Sequence, residues 1–321
     1  MTGGTGFIGR RLVLRHLEAG DPVRILTRRT VAASGLPDAV QLFSGDLANG
    51  ATDLSAFVDG ADVLYHCAAE LREPSLMRKV HVAGTQALLR AAQGKVGRWV
   101  QLSSVGVYGP VKSGLITEES PARPVGEYET TKWQAERLVA QAAARGLDTA
   151  VLRPSIVFAP ERLPGLLRLI PLIKKRMFFF VGTPGSVANY IHVDNVIEAL
   201  MLCGTRKEAR GATYNLSDWR TLEQFVSVLA EELGAPVPSW RIPESVVRRI
   251  TWPLSRLPKF PLTPEKIDAL VGRAIYDASR IERELGYRHR VGFEQALREV
   301  VLAGRHGKRT VTRNRLARRP A

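Results

Sequence analysis

Cysteine is nearly absent: Cys67 and Cys203 are the only two in 321 residues. Two thiols so far apart exclude a disulfide framework and fit a reducing compartment, the cytoplasm. The six histidines are scattered, so no spacing suits a metal-ligand cluster and no metal is expected. No charged-then-apolar leader precedes the first glycine turn. The apolar stretch Leu163–Ile173 is broken by Pro164 and Pro171 and followed by Lys174-Lys175-Arg176, which excludes a membrane span. Acidic residues are the minority, 31 against 46 Lys and Arg, for a net charge of +15. Seven of those bases lie in residues 305–321 without an acid, which leaves the rest of the chain near +8. That run reads as a solvated, disordered tail, with contact to nucleic acid or an anionic membrane as the other reading. The remaining composition, 45% hydrophobic and 24% charged, suits a globular chain with a core and a second, smaller lobe.

What is present is glycine, concentrated at one place. Thr2-Gly3-Gly4-Thr5-Gly6-Phe7-Ile8-Gly9 runs directly into a helical pattern of Leu12, Leu14, Leu17 and Ala19. Gly4, Gly6 and Gly9 have the G-x-G-x-x-G spacing, and Gly3 adds a second register. A glycine turn opening a helix brings bare amides and the positive end of the helix dipole to a pyrophosphate. Glycine also lets the helix sit tightly on the strand below it. A dinucleotide is the expected ligand. A buried strand should precede such a turn, and Met1 leaves no room for it. The expectation is a start about five or six residues upstream, one strand length, and a truncated first strand in the middle of the sheet.

Pro22–Leu26, Val40–Phe43, Ala61–His66 and Arg98–Leu102 read as strands, and Leu76–Ala92 and Tyr128–Arg145 as helices. This alternation predicts an α/β fold, a Rossmann-type doubly wound parallel sheet over 1–160 and 189–217. A smaller, mostly α substrate lobe takes 161–188 and 218–304. After the first of these strands an acid would favour NAD. Arg28 and Arg29 stand there instead and can grip a 2′-phosphate, so NADP is expected ahead of NAD; otherwise they are solvated surface arginines. Asp46 can accept from an adenine amino group or cap the helix that follows. Cys67-Ala68-Ala69 are small enough for a cofactor to lie close, and His66 reads as a packed strand-end residue. Ser104 falls at the carboxyl end of its strand, where ligands sit. Tyr128 and Lys132 are four apart, on one helical face. A lysine cation favours a phenolate, so Ser104 is expected to hold a substrate oxygen and Tyr128 to pass the proton. Lys132 would assist Tyr128 and hold the nicotinamide ribose.

In the second lobe, Leu163–Ile173 reads as core and lid packing, or as an apolar wall for a hydrophobic substrate. Thr221 and Gln224 form a capping box for a helix ending at Gly234. Thr263-Pro264 starts another helix, Asp277 caps a third ending at Gly286, and Gly292–Ala303 closes the fold. Trp219, Trp240 and Trp252 are expected in the core.

Together these segments resemble the extended branch of the short-chain dehydrogenase/reductase superfamily, the NAD-dependent epimerase/dehydratase family. The resemblance runs through Thr2–Gly9, Gly45-Asp46-Leu47, Tyr65–Ala69, Val80–Thr85, Ser103–Gly109 and Tyr128–Lys132. It continues with Leu152-Arg153-Pro154, Tyr190–Asp194 and Tyr214-Asn215-Leu216. It implies Ser104, Tyr128 and Lys132 as the catalytic set. Cofactor contacts would come from Gly3, Gly6, Phe7, Ile8, Gly9, Arg28, Arg29, Asp46, Leu47, Ala68, Tyr128, Lys132 and Pro154. It also implies a homodimer paired through the helices of Leu76–Ala92 and Tyr128–Arg145. Two positions depart from the family pattern. His81 stands where Asn is usual, and Ala188-Asn189 stand where nucleotide-sugar epimerases often carry an arginine. With a C-terminal half similar to 3β-hydroxysteroid dehydrogenases and dihydroflavonol reductases, these features imply an NAD(P)-dependent oxidoreductase for an apolar carbonyl or alcohol. A nucleotide-sugar epimerase or dehydratase is the alternative, and a non-catalytic NAD(P)-sensing or RNA-binding relative the third reading.

Overall fold

The computed structural model describes residues 1–29, 35–50, 52–254 and 263–316. Six parallel strands form the main sheet: β1 (Val23–Thr27), β2 (Val40–Ser44), β3 (Ala61–His66), β4 (Val96–Leu102), β5 (Thr149–Pro154) and β6 (Ala212–Leu216). β1 pairs with β2, while β3, β4, β5 and β6 run side by side in that order. Thr2 joins the two groups by parallel bridges to both Leu26 and His66. The expected central strand is thus represented by Met1 and Thr2. The Thr2 N–H donates to Tyr65 O (3.0 Å), and the Leu26 N–H to Met1 O (3.0 Å). Every residue of β5 is buried, as parallel strands covered on both faces require. That burial on both sides is why Ala150-Val151-Leu152 of β5 reads as an apolar run without alternation.

Helices α1 (Phe7–Glu18), α2 (Glu127–Ala144) and α3 (Val193–Thr205) cover the sheet. Leu12, Tyr65, Val100, Leu152, Val196 and Leu200 pack one layer, and Leu64, Leu88, Trp99, Val139 and Val151 another. The helix expected at Leu76–Ala92 starts at Pro74 and is interrupted. α-Helical turns at Pro74–Met77 and Thr85–Ala92 flank a π-helical turn, Arg78–Gly84. Such insertions concentrate at functional sites, and this one contains His81.

A separate three-stranded sheet pairs Ile156–Phe158, Val187–His192 and Asp218–Thr221. The capping box forms as expected, with Thr221 N–H to Gln224 Oε1 (3.0 Å) and Gln224 N–H to Thr221 Oγ1 (3.2 Å). Its helix ends at left-handed Gly234, φ 66°. Helices at Pro264–Val271 and Ser279–Leu285 follow. Asp277 Oδ1 accepts from Ser279 N–H (2.9 Å), one residue before the N-cap position. The last helix, Phe293–Leu316, carries the backbone of residues 305–316, the first part of the basic run expected as a disordered tail. Residues 317–321 lie outside the described residues.

Leu167 and Ile173 are buried with Phe158, Phe178, Phe180, Tyr190, Phe225 and Phe293, so the 163–173 stretch is mainly lobe core. The tryptophans depart from expectation: Trp219, Trp240 and Trp252 are 40%, 78% and 62% exposed. Trp219 lies on a strand paired on one side only, and Trp252 lies near the end of the helix Glu244–Leu254, where Val246 and Ile250 are exposed as well. Phenylalanines fill the space assigned to them. No helix among the described residues is long and apolar enough to cross a membrane.

Candidate active site

A cleft of about 460 Å³ opens at the carboxyl ends of β1, β3, β4 and β5, the ligand end of a parallel sheet. Gly3, Gly6, Phe7, Ile8, Gly9, Arg28, Asp46, Leu47, Ala68, Ser104, Tyr128, Lys132 and Pro154 all line it. Arg29 does not; its backbone N–H donates to Thr27 Oγ1 (3.0 Å), and the residue is exposed outside the lining.

The glycine turn fits the pyrophosphate of a dinucleotide. Gly3 has φ 69°, and a Cβ there would stand 2.7 Å from the Ala68 nitrogen; a Cβ at Gly9 would overlap Gly3 O. α1 has neither a side-chain cap nor an acid in its first turn, so its leading N–H groups are available to an anion. Asp46 Oδ1 accepts from Ala48 N–H (2.9 Å) within a turn and not at a helix start, the next helix being Ser55–Val58, while Arg28 Nη1 approaches Asp46 Oδ2 at 3.7 Å.

Ser104 leaves β4 and caps the short turn Val105–Tyr108, its Oγ accepting from Gly106 N–H (3.1 Å). Tyr128 and Lys132 stand one turn apart in the first half of α2 and face the same cleft. The buried Lys132 ammonium donates to Leu102 O, and burial lowers its pKa to about 8 against the raising effect of Glu136. Burial and then the Glu129 carboxylate push the Tyr128 phenol up to about 12, with the Arg162 guanidinium acting the other way. Lys132, the expected partner, is turned to the β4 carbonyl.

A model of the NAD dependent epimerase/dehydratase family matches residues 1–217. The chain belongs to this family. It is 31% identical, over 96% of its length and 97% of the relative's, to a 4-hydroxy-2-methyl-3-oxo-4-farnesyl-3,4-dihydroquinoline-1-oxide ketoreductase of Stigmatella aurantiaca. It is 27% identical to 3beta-hydroxysteroid-dehydrogenase/decarboxylase isoform 1 of Arabidopsis thaliana, over 96% of this chain and 80% of that one. Among solved structures it resembles MoeE5 in complex with UDP-glucose and NAD, with TM-score 0.70 and 26% identity over 96% of this chain and 98% of that one. The fold and the resemblance agree: this is an extended short-chain dehydrogenase/reductase and an NAD(P)-dependent enzyme.

His81, where the family usually has Asn, is buried within the site's support. Its Nε2 accepts from the Glu70 N–H (2.8 Å), so in the neutral ring Nδ1 carries the proton and donates to Thr131 Oγ1 (2.8 Å). Thr131 in turn donates to Glu127 O (2.8 Å), at the start of α2. The imidazole thereby ties the π turn to the helix bearing Tyr128, against whose ring it packs edge-on at 5.6 Å. His66 is likewise buried, with Thr2 Oγ1 at 2.7 Å and Thr85 Oγ1 at 2.9 Å, and is a packing residue as expected. Burial, reinforced by the Lys132 cation, lowers His81 to about 4 and His66 to about 3.

These shifts set an acid limit on stability. Unfolded, both imidazoles titrate near 6.5, so between pH 6.5 and 4 the unfolded chain binds more protons than the folded one. Stability is complete above that window and falls as pH drops through it, by about 1.4 kcal/mol per pH unit for each histidine. Thermal melts from pH 7 to 4.5 should show this slope, and His81→Asn should flatten it while lowering the neutral-pH midpoint only modestly.

Sequence reasoning passed over the ion pair beneath the site. Glu136, one turn beyond Lys132, meets Arg153 of β5 at 2.6 Å, with both groups buried. Arg153 Nη1 donates to Tyr108 OH (2.7 Å), which donates to Asn215 Oδ1 (2.8 Å). The available signal was an arginine inside the apolar run of β5, a position needing a buried acid.

Proposed function

We propose that this enzyme is an NADP-preferring reductase of an apolar ketone, or dehydrogenase of the corresponding alcohol. The cleft's apolar margin carries this reading. Leu71 and Ile156 are exposed at the site, and Val157 and Pro164 line it with them. Asn189, near the position where an epimerase often has its diphosphate-binding arginine, is occupied inside the lobe; its Nδ2 donates to Ala274 O (2.8 Å). The Stigmatella relative, named for a farnesylated dihydroquinoline oxide, supports an apolar substrate. The UDP-glucose in MoeE5 supports the second reading, an epimerase or dehydratase of a nucleotide sugar.

In the reaction, the nicotinamide, when bound, supplies or accepts the hydride. Ser104 Oγ donates to the substrate oxygen and fixes the carbonyl toward the cleft floor. Tyr128, kept protonated by its burial, gives its phenolic proton to that oxygen during carbonyl reduction, the direction a high-pKa acid serves. Lys132, whose ammonium meets the Leu102 carbonyl, would hold the nicotinamide ribose. The discriminating assay follows nicotinamide absorbance with a panel of apolar ketones and, separately, product formation from UDP-glucose. Net consumption of NADPH with a ketone supports the reductase; cofactor-neutral conversion of the sugar replaces it by the epimerase.

The NADP preference rests on Arg28, whose pairing with Asp46 is long and exposed and so weak. Arg28→Ala should cut NADPH affinity about tenfold and leave NADH affinity unchanged, while Arg29→Ala should alter neither; calorimetric titration measures all four. The same reading places the enzyme in the cytoplasm as a homodimer, paired through the helices of Pro74–Ala92 and α2. Light scattering tests that pairing.

A further inference from the structure

Resting on the dinucleotide reading of the cleft, we propose that Arg162 clamps the cofactor's pyrophosphate and supplies the cation that the glycine turn lacks. The turn itself offers only neutral N–H donors, and a pyrophosphate brings two negative charges. Three cations line the cleft: Arg28, Lys132 and Arg162. Arg28 stands beside Asp46, at the end assigned to the adenosine ribose. Lys132 is buried against the Leu102 carbonyl, at the nicotinamide end. Arg162 stands at the start of α1, beside the glycine turn: its guanidinium sits 4.9 Å from the centroid of the ring of Phe7, the first residue of that helix. No acid pairs with it among the described residues.

Its placement is built. The backbones of Ala159 and Arg162 exchange two hydrogen bonds, Ala159 N–H to Arg162 O (3.2 Å) and Arg162 N–H to Ala159 O (2.9 Å). Glu161, inside that tight turn, accepts from Arg11 Nη2 (2.7 Å), and Arg11 Nη1 donates to Asp194 (2.8 Å). Arg11 is itself a residue of α1. The helix that opens at the pyrophosphate turn therefore anchors, one turn further on, the hairpin that returns Arg162 to its start. The side chain is exposed, so it can rotate from the Phe7 ring onto a ligand, and its planar fork matches two phosphate oxygens.

Affinities for NADPH, NADH, ADP and AMP, in wild type, Arg162→Ala, Arg162→Lys and Glu161→Gln, test the proposal. Arg162→Ala should weaken NADPH, NADH and ADP by about tenfold or more, and AMP, with one phosphate, by less than about threefold. Arg162→Lys should recover part of the loss, since an ammonium keeps the charge without the fork. Glu161→Gln should show a smaller loss in the same order of ligands. The ligand-free melting temperature of Arg162→Ala should match wild type. Unchanged NADPH, NADH and ADP affinities in Arg162→Ala, with wild type binding normally, would overturn the clamp alone. An equal loss for AMP and ADP would overturn it in favour of a general distortion of the turn. Failure of wild type to bind either nicotinamide cofactor would overturn the dinucleotide reading and the clamp with it.

Discussion

Tyr128→Phe is expected to lower kcat by about a hundred- to ten-thousandfold, the usual worth of a positioned proton donor, while NAD(P)H affinity stays nearly constant. The substitution removes one oxygen from a half-buried ring whose edge-on neighbour is His81, so packing survives and the loss falls on the chemical step. Burial and Glu129 hold this phenol high, which favours proton donation over proton uptake at neutral pH. Rate measurements with saturating cofactor, paired with calorimetric titration of the same variant, check both halves. A variant that lost binding as much as turnover would place Tyr128 in the cofactor's grip alone.

The second large effect is on stability. Glu136→Ala should cost about 3–5 kcal/mol, because it leaves the Arg153 guanidinium buried without its carboxylate. For a domain of this size that corresponds to a fall of roughly 6–20 °C in melting temperature. The mechanism is specific to the broken pair. Replacing both partners by methionine removes the orphaned charge, and the Tyr108 hydroxyl keeps its bond to Asn215. The double variant should therefore lie well above either single one. Scanning calorimetry of the three variants distinguishes an uncompensated charge from a simple packing loss, in which the double variant would be the worst.

How far the sequence carried these conclusions differs by element. β3 appears at its expected bounds, Ala61–His66, because a turn at Asp59-Gly60 opens it and the apolar Val63-Leu64-Tyr65 leads into its buried second half. The glycine turn was legible for a steric reason: at Gly3 and Gly9 a Cβ meets backbone, so no other residue serves. Tyr128 and Lys132 were legible as a spacing, since one helical turn brings them to one cleft. Their mutual relation was not. Which carbonyl accepts the Lys132 hydrogen bond depends on β4, thirty residues away in the chain. The same holds for Glu136 with Arg153, and for Arg162, which reaches Phe7 only because a hairpin turns back. The π turn around His81 escaped notice because its pattern passes for an ordinary helix, and the bonds of the His81 it carries go to Glu70 and Thr131, outside the turn. The tryptophans were misplaced because hydrophobicity ranks a side chain without saying whether a helix face or strand edge is covered. Arg29 was carried in with Arg28 as a neighbour, but consecutive residues leaving a strand point to opposite sides.

The most direct measurement of the central claim is a steady-state assay of the purified enzyme with NADPH and apolar ketones, with UDP-glucose run in parallel. The account predicts net oxidation of NADPH, one equivalent per alcohol formed, slowed by about a hundredfold or more in Tyr128→Phe, with no conversion of the sugar. Conversion of UDP-glucose without net change in the nicotinamide, and no turnover of any ketone, would contradict it.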